Sequence, residues 1–295
     1  MKRLLDSINS PADLRKLDEE LLVKLCSELR DVITEVTIQN GGHLASNLGA
    51  VETTVALHRV FDLSADQDRL VMDVGHQCYA HKLITGRRTR FDTLRSKDGV
   101  TGYPNPKESE YDTFVSGHAS TSISAAAGYA EAFSVQGNGR KAIALVGDGS
   151  LTGGEAYEGL CYVGEHQKNV LVILNDNRMA ISPATGGFTR YLNHLRTSPR
   201  YIELKRDIVA ALNNVPIFSS QLYKIAEGIH DHVSRLLIEN GLFTTLGYKY
   251  FGPYDGHDVL GLVAALEKVK KLNRPVLLHV LTDKGKGNAK AEDDP

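Results

Sequence analysis

At 295 residues the chain is long enough for one large α/β domain or two small ones; we read a single domain over residues 1–295, with a helical insert at about 183–240. Hydrophobic residues at 42% and charged residues at 24% describe an ordinary soluble globular protein, and a net charge of −2 with a pI near 6.6 excludes a broad basic surface for nucleic acid or membrane. No stretch approaches the ~18 apolar residues of a membrane span, and Cys26, Cys78 and Cys161 lie far apart with no Cys-x-x-Cys, so the expected setting is a reducing cytoplasm.

In chain order, Ser10-Pro11 with Asp13 marks a helix start, and apolar residues at helical spacing predict a surface-packed helix over 19–39. Gly41-Gly42 ends it and opens a loop bearing His43. A second helix follows over 51–61, then a short strand, Arg69-Leu70-Val71-Met72, leading straight into Asp73-Val74-Gly75-His76. Residues 120–134 read as a helix dominated by Ser, Ala and Gly, suited to close approach by the sheet or by a symmetry-related helix in a homodimer. Ala142-Ile143-Ala144-Leu145-Val146 and Val170-Leu171-Val172-Ile173-Leu174 are uninterrupted branched runs, as expected of parallel strands buried on both faces, with a crossover helix over 155–167 between them. Residues 183–200 read as irregular, broken by Pro183, Gly186, Gly187 and Pro199, and two amphipathic helices follow near 201–212 and 219–240. That insert suits a lid or an inert cap equally. A last helix over 256–271 and a buried strand over 276–281 close the fold.

Both central strands end in polar signatures. Gly147-Asp148-Gly149-Ser150 follows the first and Asn175-Asp176-Asn177 the second, so Asp148 and Asn177 emerge at the carboxyl edge where open α/β sheets bind ligands. Magnesium takes few side-chain oxygens and completes its shell with carbonyls, phosphate and water. Asp148 offers charge and Asn177 a neutral oxygen, while Gly147 and Gly149 admit an anion to the backbone and Ser150, Thr152 and Gly153 begin a helix with free N–H groups. Each signature alone reads equally as a turn or a cap; the pair across one crossover points to a magnesium-diphosphate site. Cys78, close to His76, reads as a core-filling residue in preference to a nucleophile. His43, after Gly-Gly, reads either as a turn residue or as an imidazole that moves protons near neutral pH.

Gly-Asp-Gly followed at this distance by Asn-Asp-Asn resembles the thiamine diphosphate signature of transketolase-like enzymes. The segments Gly42-His43-Leu44-Ala45-Ser46-Asn47-Leu48-Gly49, Asp73-Val74-Gly75-His76-Gln77, His81-Lys82-Leu83-Ile84-Thr85-Gly86-Arg87, Gly117-His118-Ala119-Ser120-Thr121-Ser122-Ile123-Ser124 and Gly252-Pro253-Tyr254-Asp255-Gly256-His257-Asp258 resemble the 1-deoxy-D-xylulose-5-phosphate synthases. The resemblance covers that family's first, diphosphate-binding domain. It implies an α/β thiamine diphosphate-binding fold, a parallel sheet with helices on both faces. It implies thiamine diphosphate and Mg2+ as cofactors, with Asp148 and Asn177 as side-chain metal ligands and Met179 lending its carbonyl. His76, Gly117, His118, Ala119, Gly149, Ser150 and Asn177 would line the cofactor, and His43 would be catalytic.

Four departures stand out. Asn288 replaces a cofactor-touching tyrosine, Ala119 a serine and Arg178 a glutamate, and Ser150-Leu151-Thr152-Gly153 replaces Ala-Ile-Thr-Ala. The family's pyrimidine-binding and third domains lie beyond Pro295. Either a separate chain bearing the pyrimidine and carboxyl-terminal domains completes the site or the sequence is an excised domain; the expected function is the cofactor-binding subunit of a split enzyme that moves a two-carbon unit between carbonyl or sugar-phosphate substrates. The alternatives are a split transketolase acting on ketose phosphates and a non-catalytic thiamine diphosphate-binding protein.

Overall fold

The computed structural model describes residues 3–178, 186–197 and 241–293. Five strands, β1 (Arg69–Met72), β2 (Ala142–Gly147), β3 (Val170–Asp176), β4 (Lys249–Asp255) and β5 (Val276–Leu281), form one wholly parallel sheet in the order β1-β2-β3-β5-β4. The period-two alternation of the strands divides their side chains between two cores. Ile143, Leu145, Leu171, Ile173, Leu278 and Val280 pack with the helices Glu19–Asn40, Val51–Val60 and Val259–Lys270. Ala144, Val146, Val170, Val172, Leu174 and Leu277 pack on the other face with the helices Ser122–Gln136 and Gly154–Glu165. A sheet covered on both faces explains why β2 and β3 read as continuous apolar runs.

Helix ends follow local chemistry. Asp18 accepts the Leu21 N–H at 2.9 Å to start the Glu19–Asn40 helix, and Asp258 accepts the Gly261 N–H at 3.0 Å to start Val259–Lys270. Gly137, at φ 64°, ends the Ser122–Gln136 helix in the left-handed conformation. No helix among the described residues is long and apolar enough to cross a membrane.

Two elements differ from the expectations. Strand β4 is not among the expected elements, because Gly252-Pro253 interrupts its pattern; as an edge strand paired, among the described residues, with β5 alone, it tolerates a proline, and its register shifts between Phe251 and Tyr254. The stretch expected to be irregular contains the helix Gly187–Thr197, whose Phe188, Tyr191, Leu192 and Leu195 recur at helical spacing and pack into the second core beside Phe243 and Tyr250. The helices expected near 201–212 and 219–240 lie outside the described residues. Cys78 is fully buried with its thiol 3.5 Å from the Gly102 carbonyl, and burial pushes that thiol up to about 12, as suits a core-filling role.

Gly164 shows how tightly the outer helix is seated. A Cβ there would run into the Leu246 carbonyl oxygen, part of the backbone turn that leads into β4. Because backbone yields less readily than a side chain, Gly164→Ala should destabilise the fold by about 2–3 kcal/mol. Urea unfolding would show this as a lowered midpoint at unchanged slope, and an unchanged midpoint would contradict the packing described.

Candidate functional site

Four strand ends converge on one edge, and buried polar side chains tie them together. After β1, the buried carboxylate of Asp73 accepts the Ser120 N–H at 2.9 Å and the Ser122 N–H at 3.0 Å. This fixes the turn that carries Gly117, His118 and Ala119. Ser120, at φ 76°, donates its hydroxyl to the Ser150 carbonyl at 2.7 Å, clipping the same turn to the end of β2. A Cβ on Gly153 would strike that hydroxyl, which accounts for glycine at this position.

At the end of β2 lies Asp148, which is buried and donates its N–H to the Asn175 carbonyl at 3.2 Å. The Asn175 side chain accepts from the Thr282 hydroxyl at 2.6 Å and donates to the Gln77 amide oxygen at 3.3 Å, bridging β3 to the loops after β5 and β1. Asp176 turns into the core. Its carboxylate lies 2.8 Å from His279 Nε2, and His279 Nδ1 lies 2.7 Å from the Tyr250 hydroxyl. Its other oxygen accepts the Arg178 N–H at 3.2 Å, closing a tight turn with half-buried Asn177 at the crest. Thus Asn175 and Asp176 build the turn on which Asn177 stands. Met179 lies outside the described residues.

His43 and His76 meet on the side of β1. Asn47, itself buried, donates to the His43 carbonyl at 2.7 Å and the His76 carbonyl at 2.8 Å, and accepts the Tyr79 N–H at 2.9 Å. The two imidazoles pack edge to face with centroids 5.2 Å apart, and the Tyr103 ring lies 6.4 Å from that of His43. Burial, reinforced by His43 and the Lys284 charge, lowers His76 to about 4; burial, reinforced by Arg95, lowers His43. Both rings are therefore neutral at pH 7. His76 Nδ1 is buried and has no hydrogen-bond partner within the described residues.

The loop after β5 supplies a cation. Gly285 donates its N–H to the Ala45 carbonyl at 2.9 Å, and Arg30 donates from Nε to the Lys286 carbonyl at 3.1 Å, docking this loop onto the amino-terminal helices. Lys284 is half-buried, and burial holds its ammonium below the usual lysine range against the pull of the Asp148 charge. Lys284, Asp73, Asn47 and Gln77 carry no individual role in the sequence analysis. Their signal was their place at strand ends and in polar loops. Asn288 has a structural role: its side chain accepts the Ala291 N–H at 3.2 Å at the start of the short Ala289–Asp293 helix.

The edge fits a metal-bound diphosphate. The space a Cβ would occupy at Gly117 and Gly147 is open, so ligand atoms can approach the backbone there. No group of three His, Cys, Asp or Glu side chains that could hold a metal occurs among the described residues. A cation held here would therefore draw on a carboxylate, neutral oxygens and phosphate, the preference of magnesium. His118 is exposed, with its Nδ1 2.7 Å from the Ala119 carbonyl, while Gly149 and Ser150 line the start of the turn after Asp148.

The architecture is the α/β, thiamine diphosphate-binding fold of transketolase-like proteins. It matches transketolase from Leishmania mexicana with a TM-score of 0.64 at 18% identity, over 91% of this chain and 38% of that one. Transketolase from Campylobacter jejuni matches with a TM-score of 0.64 at 19% identity, over 92% and 39%. At the level of sequence, the chain belongs to the 1-deoxy-D-xylulose-5-phosphate synthase family, whose amino-terminal domain model matches residues 5–282. It is 48% identical over 292 residues to the 1-deoxy-D-xylulose-5-phosphate synthase of Caldanaerobacter subterraneus subsp. tengcongensis, covering 99% of this chain and 47% of the relative. It is 49% identical over 295 residues to that of Anaeromyxobacter dehalogenans, covering 100% and 46%. The chain thus spans about half the length of the curated relatives it matches.

The depressed His76 has a consequence for stability. Its folded value, about 4, lies below the usual 6.5, so its neutral burial contributes stability that is complete above pH ~6.5 and is lost as the pH falls towards ~4. His76→Gln should lessen the loss of stability between those pH values by roughly 2 kcal/mol. Urea midpoints measured at both ends of the window test this, and an identical pH dependence in the variant would refute it.

Proposed function

We propose that this domain holds magnesium and thiamine diphosphate for a 1-deoxy-D-xylulose-5-phosphate synthase-type transfer of a two-carbon unit between carbonyl compounds. The observation that carries the proposal is the strand edge itself, where the buried carboxylate of Asp148 at the end of β2 stands beside the Asp176–Arg178 turn that carries Asn177 at the end of β3. Asp148 and Asn177 would ligate the metal with the Met179 carbonyl. Gly117, His118, Ala119, Gly149 and Ser150 would line the diphosphate end, and His76 would present its buried Nδ1 to the bound cofactor. When bound, thiamine diphosphate supplies a carbon nucleophile that attacks a carbonyl. His43, neutral and exposed beside His76, would stand at the substrate end and move a proton to or from the reacting oxygen.

The acid facing the aminopyrimidine ring belongs, by the family resemblance, to the pyrimidine-binding domain. We assign it to a polypeptide that carries that domain and completes the site, so this chain alone should bind cofactor and turn over little. In calorimetry, Asp148→Ala should weaken magnesium-dependent binding of thiamine diphosphate at least about tenfold, through loss of the strong anionic ligand. In an assembly with the completing polypeptide, His43→Ala should keep that affinity and lose roughly a hundredfold in turnover. Equal affinity for Asp148→Ala would sink the metal assignment, and unchanged turnover for His43→Ala would sink the role given to that residue.

We also assign a two-fold self-contact to the layer formed by the helices Ser122–Gln136 and Gly154–Glu165. These helices expose Val135, Tyr157 and Tyr162, and Gly128 on the first of them is exposed as well. Sedimentation should give a dimer at micromolar concentration; a monomer throughout that range would contradict the contact.

A further inference from the structure

The backbone of His43 is fixed, but its imidazole is not. Asn47 donates to the His43 carbonyl at 2.7 Å, and the His43 N–H donates to the Tyr79 hydroxyl at 3.4 Å. The residue is exposed, and no hydrogen bond to its ring forms among the described residues. An exposed side chain on a loop keeps several staggered rotamers within thermal reach. What bears on this ring is packing against two others: His76, with centroids 5.2 Å apart, and Tyr103, at 6.4 Å with the planes inclined by 71°.

Tyr103 sits on a strap, residues 100–105, whose backbone is tied down along its length. The Val100 carbonyl accepts the Arg95 N–H at 2.7 Å, and its N–H donates to the Thr93 hydroxyl at 3.2 Å. The Thr101 N–H donates to Glu108 at 2.8 Å, and the Thr101 hydroxyl donates to the Tyr103 carbonyl at 2.7 Å. The Cys78 thiol lies 3.5 Å from the Gly102 carbonyl, and the Asn105 N–H donates to Asp112 at 2.6 Å. Glu108 and Asp112 are in turn paired with the buried cations Lys82 and Arg87. Pro104 seats the strap against the turn that leads into His76, so closely that a Cβ on Gly75 would strike its Cδ.

Every one of these ties is made to the backbone of the strap, so its fold does not depend on the Tyr103 ring. The ring is half-buried and stands on rigid chain beside an exposed imidazole. In this pair the tyrosine is the fixed surface and the histidine the part that can turn. Edge-to-face packing favours one mutual arrangement by roughly two- to tenfold.

We propose that Tyr103 is a positioning residue for His43: its ring, held in place by the strap, confines the imidazole to one rotamer and keeps it aimed at the substrate end. The catalytic half of this statement rests on the function proposed above; the confinement of the ring does not. The phenol oxygen has no part in it, so Tyr103→Phe keeps the device while Tyr103→Leu removes it.

The first measurement uses the 295-residue chain without ligand. Three-bond couplings across χ1 of His43 should report one rotamer in the wild type and in Tyr103→Phe, and averaged rotamers in Tyr103→Leu. Tyr103→Met carries the same expectation should the leucine variant not fold. The second uses the assembly with the completing polypeptide, where Tyr103→Leu should lower turnover roughly fivefold at unchanged affinity for magnesium and thiamine diphosphate, and Tyr103→Phe should restore it. Because Tyr103 acts through His43, adding Tyr103→Leu to His43→Ala should cost nothing further. A single His43 rotamer in both ring-free variants overturns the proposal, as does a full additional loss in the double variant. If His43→Ala alone leaves turnover unchanged, the catalytic role given to His43 fails, and the ligand-free couplings still decide the confinement.

Discussion

Asp73 is the contact on which the carboxyl edge of the sheet depends. A parallel sheet aligns its carboxyl ends, but aligned ends are separate loops until something joins them. Asp73 does so with one buried carboxylate that accepts two backbone N–H groups from the turn before the Ser122–Gln136 helix. Hydrogen bonds to an ionised acceptor contribute about 1.5–3 kcal/mol each, enough to order a turn that contains Ser120 at positive φ. With that turn fixed, the Ser120 hydroxyl reaches the Ser150 carbonyl, and the loops after β1 and β2 become one wall. Asn47 repeats the device one layer out, joining the His43 and His76 carbonyls through one amide.

Beneath this wall lies a second buried network. His58 Nε2 and His81 Nδ1 are 2.9 Å apart, and His81 Nε2 lies 2.9 Å from Asp112. Asp112 also accepts from Arg87 at 2.6 Å and from the Asn105 N–H at 2.6 Å. Burial lowers both imidazoles, so the histidines are neutral and the ionic part consists of Lys82 and Arg87 against Glu108 and Asp112, two charges of each sign. A buried cluster of this kind is weak evidence of stability, since desolvation offsets much of its attraction. Its geometry is more informative. Glu108 accepts the Thr101 N–H at 2.8 Å and the Thr101 hydroxyl donates to the Tyr103 carbonyl at 2.7 Å, so the cluster sets the position of the ring beside His43.

What could be read from the sequence follows the same physics. Strands β2, β3 and β5 were legible because burial on both faces demands unbroken apolar runs, and the placing of Asp148 and Asn177 just past strand ends was legible because they directly follow two such runs. Strand β4 was illegible because Gly252-Pro253 signals a break wherever the missing N–H would be needed, and only sheet order shows that on an edge it is not. The helix Gly187–Thr197 was masked by the breakers flanking it, although Phe188, Tyr191, Leu192 and Leu195 carried the helical period. Asn47, Asp73 and Glu52 illustrate a deeper limit: their roles are set by contacts spanning 29, 47 and 205 positions along the chain, which local pattern cannot contain.

The assembled edge is electrically polarised, and this bears on how chemistry can be divided along it. Asp148 and Lys284 form an end bearing acidic and basic side chains, which suit a metal and a polyanion together. His76 and His43 form a neutral end, kept so chiefly by burial, with Lys284 adding to the penalty for charging His76. An imidazole held neutral at pH 7 can accept or pass on a proton without first losing one, whereas an imidazolium locked in an ion pair cannot. The same lysine therefore favours an anion on one side and a proton-accepting histidine on the other.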